Sequence, residues 1–359
     1  MARTIRRTIA SLRTSALGSF GEWVLRGVGQ VFLQNNPLTG TLFLLGIFLS
    51  SRAAGMYALL GTVTATGTAL LLGVPRSSVA QGLYGFNGTL TAIALSFYLR
   101  HEWQLAVYVV VASAASSILA GALQNFLSSD HIPSLTVAFV TTTWLFLAGL
   151  QQFSALTEYR TDIVEAHLPQ PQGRSGGALH PHDLFVGFFN GFSEVLLQAG
   201  VWSGAAILLG ILVNSRISAA AAAVGTLIGF GAGWLLGFPV DAVSAGLTGY
   251  NSLLTTIALG GVYYVLTIRS ALFAAFGGLV TLVAYAALTS VLAPFGLPVL
   301  TAPFVLTTWT FLYATSSPTA LRVVHPDDAS TPEGNLRKAG RPWARARVVH
   351  RWHETPDEE

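Results

Sequence analysis

The sequence predicts an all-α polytopic membrane protein made of two inverted repeats, each with five transmembrane helices plus one re-entrant helix. Three observations lead there. Charged residues are only 10% of the 359, against 52% hydrophobic, whereas a soluble domain carries about 25% charged residues. The chain also repeats itself. Residues 27–52 and 191–216 are identical at 11 of 26 positions, 82–95 and 246–259 at 9 of 14, and 132–147 and 297–312 at 10 of 16, at offsets of 164, 164 and 165. Finally, the basic residues gather at the two ends, and 18 of the 19 are Arg.

Residues 1–20 form a basic N-terminus holding Arg3, Arg6, Arg7 and Arg13. No clean apolar run with a small-residue cleavage site follows it, so it reads as a cytoplasmic flank and not a secretory signal. The first repeat covers 21–150. Its opening apolar piece, 22–34, is too short to cross a bilayer and is expected to be re-entrant. Apolar stretches follow at about 38–51, 54–73, 83–99, 104–123 and 134–150. Residues 151–183 are a mildly acidic linker. The second repeat, 184–317, opens with 186–198 and continues with about 202–214, 218–236, 247–266, 270–292 and 299–317. Gly73-Val74-Pro75, Gly237-Phe238-Pro239, Pro133 and Pro298 punctuate the stretches where the backbone must turn or line a cavity. Residues 318–359 are a basic tail whose Pro, Gly and charge content predicts disorder after about residue 322.

Two copies with an odd number of crossings must lie inverted in the membrane. With the N-terminus in the cytoplasm and ten crossings, 15 of the 19 Lys and Arg fall inside, as the positive-inside rule requires. Both termini are then cytoplasmic. Their positive charge beside membrane spans faces anionic lipid, not nucleic acid.

No Cys is present, which removes disulfides, thiolate metal sites and thiol nucleophiles. No HExxH, Walker A or nucleophile-elbow motif occurs, so no enzyme activity, metal or cofactor is expected. The eight His fall in the tail, the linker or short loops, which argues against a histidine relay through the membrane.

The informative residues are polar groups inside apolar stretches. Gln30 and Glu194 hold matched places in the two short pieces. An ionisable group at membrane depth normally faces a cavity; the alternative is a helix lying at the interface with Glu194 wet. Gln accepts and donates while ionised Glu only accepts, so the shared feature is an oxygen acceptor, suited to a ligand rich in N–H donors. Thr136 and Thr301 are matched three residues after Pro133 and Pro298 and are read as ligand contacts. Thr142, Thr143, Thr307 and Thr308 fit ordinary bonding back to their own helix. Phe86 with Leu90, and Tyr250 with Leu254, are matched i, i+4 pairs on one helix face. They are either plain packing or the two apolar walls of a slot. A slot edged with oxygens selects a flat molecule that donates from its rim.

The pieces QVFLQNNPLTG, GLYGFNGTL with GLTGYNSLL, and LPVLTAPF followed by TTW resemble the urea transporter family in its bacterial form. The resemblance runs over about residues 20–317. It implies a passive, channel-like urea pore between two inverted halves of each protomer, each half with one re-entrant pore helix, in a homotrimer of the inner (plasma) membrane. By position it implies that Gln30 and Glu194 are acceptors near the two ends and that Thr136 and Thr301 mark the constricted middle. Phe86, Leu90, Tyr250 and Leu254 would form the walls, with Leu33 and Val195 beside them. Three features depart from the family pattern. Ala138 stands where the second copy has Pro303, Tyr250 replaces a frequent Phe, and Asn36-Pro37 faces Gly200-Val201. Competing readings are a proton-coupled carrier using Glu194, a channel for ammonia or other small amides, and a scaffold that docks through the basic tail.

Overall fold

A computed structural model describes residues 16–153, 180–315, 321–324 and 330–340. The first half runs α1 (Ala16–Gln30), α2 (Pro37–Ser50), α3 (Arg52–Leu71), α4 (Arg76–Ala80), α5 (Gly85–Tyr98), α6 (Trp103–Leu127) and α7 (Val137–Gly149). The second repeats the order: α8 (Pro181–Glu194), α9 (Val201–Asn214), α10 (Arg216–Leu235), α11 (Val240–Ser244), α12 (Tyr250–Ile257), α13 (Ile268–Leu292) and α14 (Ala302–Ala314). A final helix, α15 (Pro332–Ala339), lies in the tail. The apolar stretches of the sequence are thus helices, with the short opening helix of each half ending four residues earlier than its pattern suggests. The five-residue α4 and α11 carry no apolar period that could announce them.

Packing repeats with the sequence. The first and second helices of each half cross, as do the third and fifth, the fifth and sixth, and the sixth and seventh, while α2 and α9 join the halves. Single serines separate the second and third helices. Ser51 and Ser215 are extended (φ −147° and −153°), and each accepts from the helix it starts, at 3.2 Å from Ala54 and 2.9 Å from Ser218.

Four helical segments, 52–71, 103–127, 216–235 and 268–295, are long and apolar enough to cross a membrane. Helices 37–50, 137–149 and 201–214 are apolar but only 13–14 residues long, below the ~20 needed to span alone. Non-helical backbone precedes each of them, and its inner residues Gln34, Ser134, Leu135, Thr136 and Gln198 are buried in the protein, where a lipid-exposed loop would not survive. Leu71, Trp103, Phe126, Trp202 and Leu235 are largely exposed on the outside, an apolar surface suited to hydrocarbon.

The tail corrects one expectation. Arg3, Arg6, Arg7, Arg13, most of the linker and everything beyond 340 lie outside the described residues, but 321–324 and 330–340 are folded onto the second half. Val265 N–H donates to Arg322 O (2.9 Å) and Val324 N–H to Tyr263 O (2.8 Å). After α12 the chain loosens into a wide turn over Ala258–Val262, which frees carbonyls. Asn335 Nδ2 donates to two of them, Gly261 O at 2.8 Å and Val262 O at 3.1 Å. Glu333 Oε1 accepts from Ile217 N–H (3.0 Å) in the first turn of α10, where a carboxylate also meets the positive helix end. Composition predicts disorder because it counts apolar groups; this segment is held by hydrogen bonds to a broken helix.

Two predictions follow from this packing. Burial works against ionisation of Glu333, yet donors from Ile217, Ser215 and Arg216 outweigh it and hold its carboxyl below the ordinary 4.5. A lowered folded-state value stabilises docking above pH 4.5 and loses that stabilisation as pH falls through the folded value. Protection factors over 330–340, taken relative to the intrinsic exchange rate at each pH, should therefore fall in acid, and Glu333→Gln should lower them at neutral pH. Separately, a Cβ on Gly40 would overlap the Leu25 carbonyl, and one on matched Gly204 the Phe189 carbonyl. Gly40→Ala or Gly204→Ala must push apart the first two helices of its half. A loss of about 1–3 kcal/mol or more should appear as a lowered melting temperature in detergent.

Candidate functional site

The two halves meet where the backbone breaks before α7 and α14. Leu135 and Leu300 take left-handed conformations (φ 48° and 51°), and Thr136 and Thr301 follow with the same angles, φ −95° and ψ 19°. Proline is therefore not what sets the bend, since Ala138 and Pro303 serve equally. Thr136 Oγ1 and Thr301 Oγ1 lie 2.7 Å apart and hydrogen-bond each other. Both threonines are buried, at 3% and 2% exposure.

The surrounding bonds are reciprocal. Trp144 Nε1 donates to Pro298 O (2.7 Å), and Trp309 Nε1 donates to Pro133 O (2.8 Å). Asn87 Oδ1 accepts from Phe139 N–H (3.0 Å) and Asn251 Oδ1 from Phe304 N–H (3.2 Å), satisfying a free donor in the first turn of α7 and of α14. Residue i touching j while its match touches i's match is the signature of a two-fold relation, with the threonine pair at its centre.

Phe86, Leu90, Tyr250, Leu254 and Val195 belong to one buried apolar cluster, and half-buried Leu33 packs against it. That cluster also contains Leu135 and Leu300 of the break, and it extends well beyond them. Leu33 and its match Leu197 are left-handed (φ 60° and 51°) in the turns that end the short opening helices. Gln30 closes α1; its Nε2 donates to Gln81 O at 2.8 Å, which leaves the amide oxygen as its remaining acceptor. Glu194 closes α8, partly exposed, and its carboxylate accepts no hydrogen bond among the described residues.

A cavity of about 310 Å³ opens at the Glu194 end. Of the ten predicted residues it is lined by Glu194, Val195, Tyr250 and Thr301; Gln30, Leu33, Phe86, Leu90, Thr136 and Leu254 do not line it. Sequence reasoning missed Phe97, Tyr98, Tyr285 and Thr289, which also line it. Tyr285, a lone phenol in an apolar run, was the available signal, but its match at offset 165 is Ala120, so the repeat did not point to it. Asn87 and Asn251 were missed as well, although a matched amide inside GFNGT and GYNSL is itself a signal.

The arrangement binds no reacting groups together. Its polar atoms are hydroxyl, amide and carboxylate oxygens set in an apolar lining. The threonine pair uses one proton and one lone pair on itself, so most of its acceptor capacity remains.

The model of the urea transporter family matches residues 21–316. Urea transporter 1 of Ovis aries is 32% identical over 319 residues, 88% of this chain and 82% of that protein. Urea transporter 1 of Capra hircus is 31% identical over the same length, and that of Rattus norvegicus is 31% identical over 299 residues, 82% of this chain and 75% of the relative. The chain belongs to the urea transporter family, a family of transporters and not of enzymes.

Tyr250 resolves one departure from the family pattern. Its hydroxyl donates to Leu300 O at 2.6 Å, beside Asn251 Nδ2 at 3.1 Å. In the first half Phe86 has no hydroxyl, and Asn87 Nδ2 finds no partner among the described residues. Removing the phenol leaves Leu300 O still bonded to Asn251, so Tyr250→Phe should cost only about 1 kcal/mol. A melting shift as large as that of a buried unpaired group would contradict this sharing.

Proposed function

We propose that this member of the urea transporter family lets urea cross the membrane passively, through a pore in each protomer between its two halves. One observation carries the reading: the Thr136–Thr301 hydroxyl pair joins the matched halves inside the cluster that holds Phe86, Leu90, Tyr250 and Leu254. Urea is flat, with four N–H donors and one carbonyl acceptor. On entering an apolar slot it loses bonds to water unless oxygens replace them. Glu194, the threonine pair and Gln30 offer oxygens in succession, each weak enough to release the solute. Ions find no comparable replacement for their hydration. No step needs energy input.

The reciprocal tryptophan bonds support an inverted relation between the halves, since a two-fold axis relating units of five crossings must lie in the membrane plane. The charge distribution supports cytoplasmic termini in a bacterial inner membrane, and the exposed apolar surface supports lipid around the body. A homotrimer is the assembly that the family resemblance implies. It agrees with a pore complete within one chain, so that each protomer conducts alone.

Stopped-flow urea flux into proteoliposomes tests the reading. Wild type should carry urea rapidly with or without a pH gradient. Thr136→Ile or Thr301→Ile should fill the junction and slow flux about tenfold or more, which corresponds to ~1.4 kcal/mol or more of added barrier. Flux that requires the gradient would move the function to a proton-coupled carrier working through Glu194.

A further inference from the structure

The two ends of the site are not equivalent, although the repeat matches them. Gln30 is neutral and one of its two N–H donors is committed to Gln81 O. Glu194 is ionisable, its carboxylate is free of hydrogen bonds from described residues, and it faces a cavity whose lining contains no Lys, Arg or His. A partly buried carboxylate with no cationic neighbour must be neutralised by a proton or by a cation from solution.

The lining says which cation. Phe97, Tyr98, Phe139, Tyr250 and Tyr285 line the same cavity as Glu194 and give it an aromatic wall. Tyr250 and Tyr285 meet edge to face, with centroids 6.1 Å apart and planes at 83°. Aromatic faces attract cations that shed water easily, and a planar delocalised ion stacks on them where a compact hydrated ion does not. No group of three or more carboxylates and histidines suited to a metal ion occurs among the described residues, so nothing there replaces the hydration shell of a metal ion. A fork of N–H donors can pair with both carboxylate oxygens at once.

We propose that the Glu194 cavity is a binding site for planar monovalent cations of the guanidinium class, which lodge at this mouth and obstruct it. Guanidinium has the outline of urea, with an amino group in place of the carbonyl oxygen. Two N–H groups pair with Glu194 and its face lies against the tyrosines. It stops there because the way onward leads to the neutral threonine pair, where no carboxylate travels with the charge. At the other end the matched residue is the neutral Gln30 amide, so the obstruction is one-sided. Binding stands on the cavity alone; its effect on flux rests on the pore reading above.

The test is equilibrium dialysis of radiolabelled guanidinium against the purified full-length protein in detergent, in mildly alkaline buffer at fixed ionic strength. Wild type should bind one guanidinium per chain, displaced by methylguanidinium but not by equal sodium. Glu194→Gln should weaken binding at least tenfold and Tyr285→Leu severalfold, while Gln30→Ala should bind as wild type, all with the gel-filtration profile of the folded protein. Absence of saturable binding to wild type, displacement by sodium, or a folded Glu194→Gln that binds unchanged would overturn the site. Urea flux measured on the same preparations separates the two readings. Flux without guanidinium binding defeats only the cation site. Guanidinium binding without urea flux defeats the pore and leaves the cation site standing.

Discussion

A peptide chain that leaves the helix inside an apolar body must find new partners for its N–H and C=O groups, and the rest of this structure depends on how that demand is met. The breaks at Leu135 and Leu300 uncover carbonyls and amides at the junction of the halves. Trp144 and Trp309 answer for the prolyl carbonyls across the junction. Asn87 and Asn251 answer for the amides of Phe139 and Phe304. These indoles and amides are spent on the backbone, which fixes the break in place. The threonine hydroxyls at its centre are then left to each other. Buried polar groups of this kind specify one arrangement because a misplaced partner leaves a costly unpaired group.

The same rule explains what the sequence could show. Matched blocks at offsets of 164 and 165 align Gln30 with Glu194, Phe86 with Tyr250 and Thr136 with Thr301. The fold buries the matched aromatic and leucine residues in one cluster and bonds the two threonines to each other because the repeat is a repeat of packing. Helix extents were legible because apolar runs and Gly-Pro punctuation mark them. The mutual bond of the two threonines was not legible, since pairing across a pseudo-two-fold axis is a fact of docking and leaves no local pattern. Tyr285 escaped because no matched residue pointed to it. The tail escaped because its ordering comes from Glu333 and Asn335 reaching groups that a broken helix leaves open, and composition does not register such targets.

Duplication also explains why the departures from symmetry are informative. A two-fold junction needs its central contacts on both sides, and those are kept: both indoles, both amides, both threonines. Outside the centre the constraint relaxes and the ends can differ. Small Ala120 shares a buried cluster with the ring of Tyr84, while the second half has Tyr285 and Thr248 in the corresponding places. The bulk of a tyrosine has moved from one helix to the other, and the phenol now borders the Glu194 cavity. Phe86 against Tyr250 adds a second hydroxyl to the same end.

An asymmetric pair of mouths does not make a passive pore directional, because no free energy enters the cycle. The net direction of urea follows its gradient whichever mouth it meets first. What asymmetry does change is which other solutes each mouth admits and holds. A mouth with a carboxylate and aromatic rings discriminates by charge as well as shape, while a mouth with an amide discriminates by shape and hydrogen bonds alone. In the pore proposed above, the shared centre with its neutral hydroxyl pair would refuse charge from either side. Selectivity in this fold is accordingly divided. On that proposal the duplicated, backbone-bonded middle would reject ions in common, and each half would set, through the residues that escaped the two-fold constraint, what lingers at its own entrance.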